Sequence, residues 1–136
     1  MQSKQLSEIN KNGAQLEDFF LHLSLSGSMS QIPNANGFGD EKIKSLSDGY
    51  LIGQITMDFD WDHCEMHRYQ DELIFILNGS LLLKYDDVVK ADVCLLKGQI
   101  EIIPKGYWHT ADIREQTKIL FMTSLEETQH EPRKSL

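Results

Sequence analysis

The residues of this chain that could carry chemistry fall in two short stretches, WDHCEMHRYQDE from Trp61 to Glu72 and PKGYWH from Pro104 to His109. If Met57 to His67 is one strand, successive side chains alternate between its faces. Met57, Phe59, Trp61, His63, Glu65 and His67 then point inward, while Asp58, Asp60 and Asp62 form a solvated face. Glu65 and His67 stand about 6.6 Å apart along such a strand, so their side chains can converge on one ion. His63 and His67 stand about 13 Å apart and could not readily share one. A helical HCEMH would put His63 and His67 on one face at i, i+4. The alternation upstream and the β-rich sequence downstream favour the strand. The segment is not an HExxH zinc motif, because its Glu is misplaced. Glu72 opens the apolar run ELIFIL, where an unpaired buried carboxylate would cost several kcal/mol. It is therefore exposed at a strand start, paired, or bound to a metal. His109 taken alone reads more often as a structural residue than as a ligand.

The elements that must position these residues are short. Leu16, Phe19, Phe20 and Leu23 recur at i, i+3, i+4, i+7, which predicts one short helix with an apolar stripe on the core. A Ser-, Gly- and Asn-rich lead-in follows, from Ser24 to Lys42. From Gly49 to Ser124 the chain turns to β-like runs divided by turn residues. Asn78-Gly79 is the strongest cue for a hairpin of type I′. Asp86-Asp87, Lys97-Gly98, Lys105-Gly106 and Arg114-Glu115-Gln116 mark further turns. Many short strands at this spacing predict an all-β sandwich or barrel. The run Leu73, Phe75, Leu77 interleaves with Ile74 and Ile76, so both faces of that strand require cover. The tail LEETQHEPRKSL is polar and reads as frayed. The expected organisation is a lead-in over 1–49, a barrel over 50–124 and a tail over 125–136.

The two stretches together resemble the cupin family, whose motifs read G(x)5HxH(x)3–4E(x)6G and G(x)5PxG(x)2H(x)3N. His67, Glu72 and Gly79 match the second half of the first motif, and Gly98, Pro104, Gly106 and His109 match the second up to its His. The resemblance covers residues 50–123. It implies an antiparallel jelly-roll β-barrel with both motifs facing inward and holding one divalent metal. Carried over residue by residue, it makes His67, Glu72 and His109 metal ligands. Three positions depart from the pattern. Glu65 stands where the first His would be, Ile113 where the final Asn would be, and Phe59 where the opening Gly would be. Glu65 has two readings. As a ligand it completes a set of two nitrogens and two oxygens, which suits Fe or Mn and leaves Zn or Ni open. Alternatively it marks a cupin without metal, and pairs with His67 or His109.

Trp61, His63 and Tyr107 are candidates to line a ligand cavity, with the phenol and imidazole able to move protons. For the aromatics, filling the barrel is the competing role. Cys64 lies at an even position and should face away from the ligands. The family's range leaves a metal-dependent enzyme on a small polar metabolite (dioxygenase, isomerase or lyase type) beside a non-catalytic ligand-binding or sensing module. A homodimer is expected from the resemblance and from the second apolar face of ELIFIL.

Composition bounds the rest. The chain has 136 residues and a net charge of 13 − 21 = −8, which argues against a nucleic-acid backbone as partner. No apolar run approaches the length that crosses a bilayer. MQSKQLSEINKNG has no apolar core of a secretory signal, so Cys64 and Cys94 are expected as reduced thiols in the cytoplasm. There is no P-loop and no dinucleotide-binding glycine pattern, and no organic cofactor is expected.

Overall fold

The computed structural model describes Gln5 and residues 12–133. The polar start of the chain and the last three residues of the tail lie outside the described residues. Among the described residues, eleven antiparallel strands build two sheets. The six-stranded sheet runs β2 (Met29–Pro33), β1 (Phe19–Leu23), β3 (Tyr50–Met57), β10 (Thr117–Ser124), β5 (Glu72–Asn78), β8 (Ile100–Ile103). The five-stranded sheet runs β11 (Thr128–Pro132), β4 (His63–His67), β9 (His109–Ile113), β6 (Ser80–Tyr85), β7 (Val93–Leu96). Strand pairing does not close the two into a barrel among the described residues.

The core lies between the sheets. Ile74, Ile76, Ile103 and Ile119 of the larger sheet meet Leu81, Leu83, Leu95 and Ala111 of the smaller one, all buried in one cluster. These β-branched and aliphatic side chains suit a pleated, enclosed face. On β5 the even positions face this core, and Leu73, Phe75 and Leu77 are half-buried on the other side.

The expected N-terminal helix is instead a single 3-10 turn at Leu16–Asp18 followed by β1. The apolar residues still reach the core, but from a strand. Phe20 is buried against Phe38 and Phe121, with ring centroids at 5.0 Å and 6.1 Å. Gly53 on β3 makes room for this packing, since a Cβ there would come within 2.5 Å of the Phe20 ring. The only α-helix among the described residues, α1 (Glu41–Lys44), is capped by the Asp40 carboxylate accepting from the Lys42 amide at 2.8 Å.

Asn78-Gly79 does not make a hairpin within one sheet. It carries the chain from β5 in the larger sheet to β6 in the smaller one. Gly79 alone takes positive φ, at 88°, whereas a type I′ turn needs it at both central residues. A Cβ on Gly79 would sit 2.5 Å from the Gln116 carbonyl oxygen. The part of the tail expected to fray forms β11, which pairs with all of β4.

Candidate metal centre

Met57 to His67 is not one strand. β3 ends at Met57, and residues 58–62 cross to β4 through an irregular segment. Local anchors hold the crossing. The Trp61 amide donates to the Ala111 carbonyl at 3.0 Å, and the Ile113 amide donates to the Asp60 carboxylate at 2.7 Å. The alternation therefore fails at Phe59, which is 82% exposed. Asp58, Asp60 and Asp62 do face solvent, though each also accepts a hydrogen bond.

From His63 onward the alternation holds. Glu65 lies directly across from His109 on β9 and from His130 on β11, and His67 lies across from Thr128. Glu72 comes from the other sheet, at the start of β5. The turn of the second motif is tied to both. The Gly106 amide donates to the His67 carbonyl at 2.8 Å, and the Lys105 amide donates to the Asp71 carboxylate at 2.9 Å. Gly106 has φ of 87°, where a side chain would be strained.

Glu65, His67, Glu72 and His109 are thereby brought together, with one donor atom from each lying within 4.8 Å of all the others. Glu65 Oε1 stands 3.5 Å from His67 Nε2 and 3.4 Å from His109 Nε2. Glu72 Oε1 stands 3.7 Å from His109 Nε2, and Glu72 Oε2 accepts from His67 Nε2 at 2.6 Å. Metal bonds of 2.0–2.2 Å place ligand atoms roughly 3–3.5 Å apart, close to most of these separations.

The residues behind the cluster orient it. His109 Nδ1 donates to the Tyr107 carbonyl at 3.1 Å. His67 Nδ1 donates to Thr128 Oγ1 at 2.9 Å, whose own proton goes to the Ser124 carbonyl. Both rings therefore turn Nε2 toward the carboxylates, the arrangement that fixes a metal-binding tautomer. Thr123 Oγ1 donates to Glu72 Oε2 at 2.8 Å. His109 Nε2 is buried and makes no hydrogen bond. An orphaned ring nitrogen aimed at two carboxylates is costly unless something binds it.

Electrostatics favour opposite charges across the cluster. Burial opposes charge on His67, but Glu65 and Glu72 outweigh it and hold the imidazole up at about 9. The same balance holds His109 at about 10. Burial pushes the Glu65 carboxyl up, yet the surrounding histidines hold it well below its ordinary value. Glu72 is likewise lowered by His109 and His67 against its burial. Without a metal, the two carboxylates and two imidazoles thus balance as ion pairs. With a divalent ion, the carboxylates balance the ion and the imidazoles must give up their protons.

The candidate lining residues part company. His63 is half-buried beside Glu65, with Oε2 3.7 Å from its Nε2. Trp61 is sealed in, stacked on His63 at 5.6 Å and donating from Nε1 to the Met57 sulfur at 2.9 Å. The Tyr107 ring packs edge-on against Tyr85 at 6.0 Å. Cys64 is partly buried and free, and Cys94 is exposed and free. Three residues around the cluster escaped the sequence reading: Thr123, Thr128 and His130. Strand pairing with β4 is the signal that finds the last two, and no motif carries it.

Neither a family model nor a curated protein sequence matches the chain. Solved structures do. A cupin-2 domain protein from Shewanella frigidimarina aligns with 67% of this chain and 76% of its own, at 24% identity and a TM-score of 0.47. A cupin superfamily protein from Desulfitobacterium hafniense aligns with 93% and 94%, at 18% identity and a TM-score of 0.48. A Streptomyces protein, PAC13 with one His replaced by Gln, solved with uridine, aligns with 67% and 75%, at 7% identity and a TM-score of 0.54. At such identities the likeness concerns the fold alone.

Proposed function

We propose that this chain, whose architecture is consistent with a cupin fold, holds one divalent metal ion between Glu65, His67, Glu72 and His109 and acts on a small polar metabolite. The observation that carries the reading is the bare, buried Nε2 of His109 facing two carboxylates. A donor set of two imidazoles and two carboxylates suits Fe or Mn, and also Zn or Ni. Such an ion supplies Lewis-acid or redox chemistry when bound. The chain's own residues fix the rest. Tyr107 and Thr128 hold the two ring tautomers, Thr123 fixes the Glu72 carboxylate, and Trp61 with Met57 excludes water from one side. His63 stands where a ligand would enter and can hold or release a proton at Nε2. Trp61 and Tyr107 complete the proposed lining.

The order in which the chain passes between sheets, with β5, β8 and β10 in one and β6, β7 and β9 in the other, supports a jelly roll. A homodimer is the proposed assembly. Among the described residues β8 ends the larger sheet with its outer edge unpaired, and Ile100 and Ile102 on it are 55% and 56% exposed. Ile102→Lys should shift a sedimenting dimer to monomer. No helix among the described residues is long and apolar enough to cross a membrane. The free cysteines support the cytoplasm as the proposed location.

Metal content of wild type and His109→Ala, purified without chelator or affinity metal, tests the function. Wild type is expected to carry a transition metal in the buried site and His109→Ala to lose it. A wild type that stays empty after incubation with Fe(II), Mn, Zn and Ni overturns the reading. The second reading is a metal-free binding module. The 2.6 Å bond between His67 and Glu72, which needs no ion, favours it.

A further inference from the structure

We infer that the chain carries a second cation site at the mouth of the first, formed by His63 Nε2, Glu65 Oε2 and His130 Nε2, with the Glu65 carboxylate bridging two ions. It goes beyond the single-ion reading and stands on separate residues apart from Glu65.

The geometry suits ligands around an ion. Glu65 Oε2 lies 3.7 Å from His63 Nε2 and 3.5 Å from His130 Nε2. Both separations exceed the 2.7–3.2 Å of an N–H···O hydrogen bond. They repeat the 3.4 Å and 3.5 Å that the other oxygen, Oε1, keeps from His109 and His67. The three donor atoms lie within 4.8 Å of one another. A carboxylate whose two oxygens each face two imidazoles at ligand spacing is placed to bridge. Two-metal sites hold their ions about 3.5–4 Å apart.

A second observation fixes the direction of the outer ligands. His63 Nδ1 donates to the Asp62 carboxylate at 2.9 Å, which turns Nε2 toward Glu65. A carboxylate behind a histidine is the usual support for a ligating imidazole. The Trp61 ring, lying nearly parallel to His63 at 8°, holds the ring plane. His130 enters from β11 directly across from Glu65, with its ring centroid 5.5 Å from that of His63. Two nitrogens and one oxygen suit Zn, Fe(II), Mn or Ni. Because His130 is 58% exposed on its side chain, the outer ion keeps positions open to solvent. Those positions suit an oxygen-donor ligand, either water or an anionic substrate oxygen.

The test counts ions. Metal-free protein is loaded with zinc alone, exchanged into volatile buffer and weighed by native mass spectrometry. Wild type is expected to reach two zinc ions per chain, His130→Ala one and His63→Ala one. Loading with manganese should give a spin-coupled, attenuated resonance signal in wild type and an uncoupled one in His130→Ala. His130 is solvent-facing, so its loss leaves the fold intact. A wild type that saturates at one ion which His130→Ala still holds overturns the inference, and so does a second ion that survives in His130→Ala. The two sites fail separately. If His109→Ala keeps one zinc that the His109→Ala, His130→Ala double variant loses, the outer site stands even where the buried one does not.

Discussion

The two oxygens of Glu65 face different worlds. Oε1 looks inward on His67 and His109, both almost fully buried and each backed by a hydrogen-bond acceptor. Oε2 looks outward on His63 and His130, which are 38% and 58% exposed. Similar residue types at similar distances are thus held by different forces. The inner groups have no water to fall back on, so each charge depends on its partner. The outer groups are partly solvated and screened, so although Glu65 and Asp62 hold the His63 imidazole up at about 9, that attraction adds less to stability than an equally raised buried group would. The inner set is a rigid, preformed cage, and the outer set gains a purpose only when something binds it.

The difference is broken most directly by Glu72→Ala. In metal-free protein it strips a buried counter-charge from His67 and His109, and we expect about 3 kcal/mol of lost stability in urea unfolding. Loss under about 1 kcal/mol would mean the inner charges are better solvated than their burial implies.

Acidity acts on the inner histidines and on His63 alike, since His63 is also held at about 9. His67 and His109 are held at about 9 and about 10 against an ordinary 6.5. Their contribution to metal-free stability is therefore full below pH 6.5 and is lost as pH rises through 9 to 10. The lowered carboxyls of Glu65 and Glu72 contribute above their ordinary 4.5 and lose that contribution as pH falls. Metal affinity runs the other way at the alkaline end, because binding expels the imidazole protons. Urea midpoints of metal-free protein should decline between pH 6.5 and 10 while competition-measured zinc affinity still climbs. Parallel trends in the two would remove the ion-pair account.

Thr128→Val removes the acceptor behind His67 Nδ1 without changing a ligand. About a tenfold loss of affinity for the buried ion is expected from isothermal titration, with the fold preserved. The smallest effect belongs to His130→Ala, which should change metal-free stability by no more than about 0.5 kcal/mol. A larger loss would show that the outer cluster bears on the fold and is not merely solvated.

The resemblance to the cupin motifs picked out the residues of the inner cluster. Glu65, His67, Glu72 and His109 can be picked from the motif intervals, because a strand and a tight turn translate interval into position directly. The supports could not be picked that way. Thr128 and His130 act through pairing with β4, a long-range contact with no local signature, and their polar segment reads as a loose end. The apolar residues from Leu16 to Leu23 fit a helical period over too few residues to exclude a strand. What decided against a helix is tertiary: β1 pairs with both β2 and β3, and Phe20 packs against Phe38 and Phe121. Asn78-Gly79 gave a correct turn and a wrong partner, since local chemistry says that the chain bends but not which sheet it enters next.

β11 has one more consequence, in the order of biosynthesis. His67 reaches its acceptor across 61 residues of chain, and Arg133 locks the end of β11 by donating to the Trp61 and Ala111 carbonyls and pairing with Asp112. A ribosome delivers the motif residues before this strand. The nascent chain therefore passes through a stage in which all four residues of the inner cluster have emerged but His67 still lacks its backing. On the proposed metal-binding reading, capture in its final form waits until β11 has been made.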